Sequence, residues 1–259
     1  MTEICFSRID NKIKLDYWTE VERKDKNKDN LLCQSESGMS EPAFEAYAKE
    51  VVIGDPLLRI GDKGISKSQY DILKTFARAN NLPVARVLNG VSTQGGKVVW
   101  LHLANAQVKD IRALKGLTNL LGLNLSDTEV GDISPLKGLT TLRKLDLSGT
   151  TVSDLSDLEG LVNLRELNLT DTKISNISYL RKLSKLEELR LSGTMVSDIS
   201  ILKGMPDLKV LALHRAPVSD INAIKDLTKF ELIDLRLTQV TTSQVEELQK
   251  KNPRTIIFY

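Results

Sequence analysis

The sequence predicts an α/β solenoid, in which coils of 22 residues each hold one short strand and one tight return. Three observations predict it. Leucines recur in strict register at a 22-residue step from about residue 98 onward. Each step contains a Leu-x-Leu pair, whose period of two puts both side chains on one side of a strand. Downstream of that pair the apolar residues fall three apart, the spacing of a 3₁₀-like return rather than a long helix. One such coil leaves its apolar side open. It becomes stable only when neighbours stack and the columns merge into a continuous core.

The columns are explicit. Leu103, Leu125, Leu147, Leu169, Leu191, Leu213 and Leu235 form one. Two residues earlier run Leu101, Leu123, Leu145, Leu167, Leu189, Leu211 and Ile233. Three before those run Val98, Leu120, Leu142, Leu164, Leu186, Leu208 and Phe230. Downstream, columns begin at Val108, Ile111 and Leu114 and repeat at the same step. The unit reads L-x-x-L-x-L-x-x-T-x-V-x-x-I-x-x-L.

Over Val98 to Val240, more than half the chain, this pattern resembles the short leucine-rich repeats of bacterial internalins. The resemblance implies a right-handed solenoid with a parallel sheet on its concave side and helical caps at both ends. One column departs from the family. Where the family places Asn, bonding backbone groups of adjacent coils, this chain has Ala106, Thr128, Thr150, Thr172, Thr194, Ala216 and Thr238. A Thr hydroxyl both donates and accepts, so a buried polar ladder closing the turn is expected, with the two Ala turns either looser or satisfied by water. The column Asp110, Asp132, Asp154, Asn176, Asp198 and Asp220 precedes each return. Such side chains accept from backbone N–H groups and start a helical turn. A calcium stack would need several oxygens converging on each ion, whereas the pattern supplies one per coil.

A stack needs capped ends. "GISKSQYDILKTFARANNLP" reads as an amphipathic helix with a capping box of Ser66 and Gln69 and a staple of Ile65 and Tyr70. Leu73, Phe76 and Ala77 share its inner face, and Asn80-Asn81 before Pro83 ends it. Asn89-Gly90 and Gly95-Gly96 are turn signals leading into the first repeat strand. At the other end, Ser243 and Glu246 are expected to form a second box, with Asn252-Pro253 stopping that helix. Ile257 lies 22 residues after Leu235 and is expected to enter an eighth strand in step. The resulting organisation is a polar, loosely attached lead segment over 1–40, an N-terminal cap over 41–97, seven repeats over 98–241 and a C-terminal cap over 242–259. Within the lead segment, 12–18 alternates like a strand and 21–30 is a mixed charge run.

Composition narrows the function. A net charge of +2 argues against a general affinity for nucleic acid or anionic membrane, and no apolar run approaches the ~20 residues of a spanning helix. The N-terminus lacks the basic start and apolar block of a secretory signal. A cytoplasmic protein is therefore expected, with a secreted or surface role open if a signal was removed or if secretion needs none. Cys5 and Cys33 have no partners at metal-ligand spacing and read as free thiols in a reducing compartment.

Enzyme signatures are missing from the sequence. His102 and His214 sit five coils apart, roughly 24 Å by strand spacing, too far to share a metal or a substrate atom. Neighbouring Asp146, Glu166 and Glu188 have neither a nucleophile nor a phosphate loop beside them. No cofactor, metal or small-molecule substrate is expected.

The face of the sheet is the better candidate. The outward column is His102, Asn124, Asp146, Asn168, Arg190, Ala212 and Asp234, flanked by Trp100, His214 and Arg236 among others. A broad polar array with apolar spots suits a folded protein or peptide better than a small molecule, which wants a closed pocket. Trp100 is the most suggestive residue, because Trp is enriched at binding hot spots. His214, Arg215 and Arg236 form a small basic cluster at the other end. The candidate partner-binding residues are Trp100, His102, Asn124, Asp146, Asn168, Arg190, His214 and Arg236.

A second line, Lys115, Lys137, Glu159, Arg181, Lys203 and Lys225, follows the returns, where cations are favoured. Base-stacking aromatics are missing there, which disfavours nucleic acid. The expected function is a non-catalytic interaction scaffold. The alternatives are a targeting or regulatory subunit acting through the N-terminal segment, or an internalin-like secreted or surface effector.

Overall fold

The structure, a computed structural model, describes residues 5–7, 31–33, 57–60 and 63–259. The expected strand at 12–18, the charge run at 21–30 and most of the lead segment lie outside the described residues. The chain divides into two compact units, Met1–Val99 and Trp100–Tyr259.

In the first unit, β1 (Cys5–Ser7) and β2 (Leu31–Cys33) pair antiparallel, as do β3 (Leu57–Ile60) and β4 (Lys63–Ser66). Helix α1 (Lys67–Ala79) follows, burying Tyr70, Leu73, Phe76 and Ala77. Ser66 heads it with extended backbone, but the expected capping box does not form. Gln69 is buried instead, and its Oε1 accepts a 3.0 Å bond from the Val98 N–H. A buried N–H left without an acceptor costs more than an exposed cap gains. The helix ends as expected at Asn80-Asn81. Asn81 is left-handed at φ 52°, and the Leu82 N–H reaches back to the Ala77 carbonyl at 2.8 Å. A short helix that the sequence reading missed, α2 (Val84–Asn89), begins directly after Pro83. Strand β5 (Val91–Gln94) then leads through Gly95-Gly96 into β6 (Lys97–His102).

The second unit is the repeat array. From Trp100 onward, β6 is followed by β7 (Gly122–Asn124), β8 (Lys144–Asp146), β9 (Glu166–Asn168) and β10 (Glu188–Arg190). Then come β11 (Val210–Ala212), β12 (Leu232–Asp234) and the closing β13 (Ile256–Phe258). Neighbouring strands pair in parallel in chain order, with partners such as Leu123↔Leu145 and Leu189↔Leu211 set by the repeat step. Returns at Arg112–Gly116, Ser134–Leu136, Ser156–Leu158, Ser178–Lys182 and Ser200–Gly204 are 3₁₀ helices. This is the α/β repeat solenoid that the spacing predicts.

The leucine columns are buried along their length. So is one that the sequence reading omitted: Leu117, Leu139, Leu161, Leu183, Met205 and Leu227. Each fully buried aliphatic side chain contributes roughly 1.5–3 kcal/mol, but only while its neighbouring coils are present.

The polar columns serve the turns. Thr128, Thr150, Thr172, Thr194 and Thr238 donate to the carbonyl three residues back, for example Thr150 to Leu147 at 2.6 Å. These bonds stay within one coil, unlike the bond between coils ascribed to the family's Asn. The Ala216 turn is not looser. Its N–H reaches Leu213 at 2.8 Å, against 3.3 Å for Thr150 to Leu147. All six of Asp110, Asp132, Asp154, Asn176, Asp198 and Asp220 accept from the N–H two residues on, at 2.8–2.9 Å.

A further column sets the corners. Asn105, Asp127, Gly149, Asp171, Gly193, Arg215 and Leu237 all have φ between 53° and 67°. At Gly193 a Cβ would lie 2.0 Å from Asp171 Oδ1, and at Gly149 it would lie 2.3 Å from Asp127 Oδ1. Leu237 takes the same left-handed conformation at 75% exposure.

Helix α3 (Thr242–Lys251) covers the last coil with Val245 and Leu248. Its capping box is formed by Thr241 and Gln244, two residues before the expected pair Ser243 and Glu246. The box goes where the chain first turns helical, and Gln244 also donates to the Ser219 carbonyl at 3.0 Å. The closing strand forms, but out of the expected step: Ile257 pairs with Ile233, not at the position 22 after Leu235. The intervening helix and Thr255, which donates to the Phe230 carbonyl, make this coil two residues longer.

Three outcomes are expected. Gly193→Ala should lower stability by about 1–2 kcal/mol in urea melts, from left-handed strain and the Asp171 contact. Leu237→Asn should raise it by about 0.5–1 kcal/mol. The third outcome concerns acid. Backbone donation from Ser156 and Ser200 holds the carboxyls of Asp154 and Asp198 below their ordinary value of 3.8. Their stabilisation is present above that value and lost as pH falls through the depressed one. Asp198→Asn, which keeps the acceptor as Asn176 does, should match the wild type near neutral pH. It should lose less stability than wild type between about pH 4 and pH 2.

Candidate functional site

The strands present a trough of about 350 Å³ on the sheet face. Period-two alternation sends Leu101, Leu123, Leu145 and Leu167 into the core and leaves the alternate residues on this face. Six of the eight candidate residues, Trp100, His102, Asn124, Asp146, Asn168 and Arg190, line this trough together. His214 and Arg236 do not; they stand on later coils.

Trp100 is held in place by its neighbours. Gly122 is its register partner on β7, and a Cβ there would lie 1.9 Å from the indole ring. The ring therefore lies flat over the glycine. Lys144 Nζ, on the next strand, stands 6.0 Å from the ring centroid. Lys144 in turn pairs with Glu166 at 2.5 Å. Glu188 pairs with Arg190 along the same strand. Trp100 remains 39% exposed. Cation, ring and carboxylate thus run across β6 to β9, side by side.

Several outward residues prove to be turn builders. Asn124 Oδ1 accepts from the Ser126 N–H at 2.8 Å, and Asn168 Oδ1 accepts from the Thr170 N–H at 3.1 Å. Asp146 Oδ1 accepts from the Ser148 N–H at 2.9 Å and from its hydroxyl at 2.6 Å. Asn168 Nδ2 donates to Asp146 Oδ2 at 3.2 Å. At the far end Asp234 accepts from the Arg236 N–H, Nε and guanidinium. The Arg236 bonds hold the Asp234 carboxyl below its usual range. Arg236 also covers the Phe258 ring at 5.3 Å, so this member of the expected basic cluster is engaged locally. For Asn124, Asp146 and Asn168 the signal was present in sequence as Asx followed by Ser or Thr two positions on.

Along the returns, Glu159, the single acid of the basic line, pairs with Lys182 at 3.0 Å. A side ladder joins Arg165, Glu187 and Lys209. Exposed pairs of this sort contribute little to stability. Among the described residues, no three His, Cys, Asp or Glu converge as a metal site, and no helix is long and apolar enough to cross a membrane.

If Gly122 is what seats the indole, Gly122→Ala should swing the ring off the sheet. In a Trp18→Phe background, the emission of Trp100 should shift toward that of a solvated indole, with the unfolding free energy from urea melts lowered by about 1 kcal/mol. Unchanged emission would mean that the ring is seated by other contacts.

Residues 140–182 match the family model described as Leucine Rich repeats (2 copies). Among curated proteins, none matches the sequence. An internalin of Listeria monocytogenes is similar over 60% of this chain and 45% of its own, at 26% identity and a TM-score of 0.57. A leucine-rich-repeat protein of Leptospira interrogans is similar over 61% of this chain and 42% of its own, at 22% identity and 0.56. Internalin C2 of Listeria monocytogenes is similar over 74% of this chain and 91% of its own, at 24% identity and 0.52. The chain spans less than half the length of the first two structures. Proteins with such repeats are in general interaction scaffolds, and those of this fold are generally non-catalytic. The chain carries leucine-rich repeats, and its fold is similar to that of the bacterial internalins.

Proposed function

We propose that the chain is a non-catalytic scaffold that seats a folded protein or peptide along its sheet face. One observation carries the reading: Trp100 lies flat on Gly122, partly exposed, at one end of a trough shared with His102, Lys144 and Arg190. A ring fixed before binding loses little conformational freedom when a partner covers it. The remaining lining is polar and of mixed sign, with Lys144 and Arg190 beside Asp146, Glu166 and Glu188. That composition suits the rim of a protein interface around an aromatic anchor.

The test compares two double variants of the whole chain. Trp100→Ala with Arg190→Glu alters the sheet face and spares Asp146, which holds the Ser148 turn. Lys137→Glu with Lys203→Glu alters the line along the returns. Both should fold. In quantitative affinity capture, the partner should fall by roughly tenfold or more with the sheet-face variant and persist with the other. The reverse pattern would move the interface to the returns.

A further inference from the structure

In sequence, Cys5 and Cys33 stand far apart and read as separate thiols. The structure places them opposite each other. Strands β1 and β2 pair antiparallel with Cys5↔Cys33, Phe6↔Leu32 and Ser7↔Leu31 in register. Opposed positions in an antiparallel pair have Cα atoms about 4.5–5.5 Å apart. Disulfides span Cα separations of about 4.4–6.8 Å. The chain has two cysteines, so this pair is the one intramolecular bridge it can form.

We propose that Cys5 and Cys33 are a disulfide-forming pair that staples β1 to β2. The reaction needs an oxidant, and a small-molecule disulfide such as oxidised glutathione supplies it. One cysteine thiolate attacks a sulfur of that disulfide, forming a mixed disulfide and releasing the first small thiol. The second cysteine thiolate then attacks the protein sulfur of the mixed disulfide. The Cys5–Cys33 bond forms and the second small thiol leaves. The protein gives up two electrons and its two thiol protons, and the oxidant leaves as two thiols. The bond would close a loop over the 27 residues between the cysteines. It would restrict the unfolded chain and secure two three-residue strands that are marginal as an isolated pair. β1 also lies against β3, so the staple would act on the hairpin of the same unit.

The test uses the full chain in glutathione redox buffers, read by thiol alkylation and peptide mass spectrometry. The expected product is a monomer in which both cysteines resist alkylation, the Cys5 and Cys33 peptides are joined and the mass of two hydrogens is lost. Reduction should restore both thiols. A register control carries Leu32→Cys together with Cys33→Ser, which sets the second thiol opposite Phe6 instead. Its bridge should be reduced at roughly tenfold lower thiol than that of the native pair. The unaltered chain supplies a second measure, because unfolding it in urea should weaken the bridge by a similar factor. Equal reducibility of the native and shifted pairs, or of the folded and unfolded chain, would overturn the proposal. So would glutathione adducts on both cysteines without a bridge, or disulfide-linked dimers.

Discussion

The array depends on a corner taken the same way at every coil. After each strand the chain enters the left-handed region, at Asn105 and then at the equivalent residue of each later coil through Leu237. That conformation turns the backbone N–H toward the next coil. Gly149 donates to Thr170 at 2.8 Å, Asp171 to Ser192 at 2.8 Å and Gly193 to His214 at 2.8 Å. The strand ladder just before it, such as Leu147 to Asn168 at 2.9 Å, is thereby extended past the strand itself. Strands of three residues would be too short to fix a register by themselves. Corner and ladder together hold the leucine columns in line, and only then can their side chains share a core.

The turns also show how a narrow coil avoids stranding its polar backbone. A buried carbonyl or N–H without a partner is costly. The buried Thr hydroxyls each meet a carbonyl, and the Asx groups before the returns and at the strand ends each meet an N–H at the coil edge. Many of the chain's polar side chains therefore face inward or along the coil edge. The sheet face keeps fewer groups uncommitted than its sequence suggests, and Trp100, His102, Lys144 and Arg190 carry most of its chemical character.

The period was legible because apolar residues filled each buried column, and leucine filled one of them throughout: Leu147 and its equivalents could only be core. The 3₁₀ returns followed from three-residue spacing. Other features depended on competition that no spacing encodes. Gln69 could cap its own helix or satisfy the Val98 N–H, and burial decided. Thr241 and Ser243 offer equal capping chemistry, and the point where the chain turns helical chose between them. Asn124, Asp146 and Asn168 were read by outward position alone, and their bonds to the N–H two residues on were passed over. The seat of Trp100 was written as a glycine 22 residues later, an absence of side chain that is easy to pass over. The opposition of Cys5 and Cys33 could not be read from spacing, because antiparallel register across 27 intervening residues leaves no periodic trace.

The slip of the final strand has its own consequence. Ile257 sits opposite Ile233, a displacement of an even number of residues from the repeat. Alternation along a strand has period two, so such a displacement leaves the inward side inward. An odd displacement would have turned the other face of β13 toward the core. Variation in the length of the last coil is thus quantised. Insertions or losses of residue pairs there preserve which side of the terminal ribbon is greasy, whereas single ones invert it.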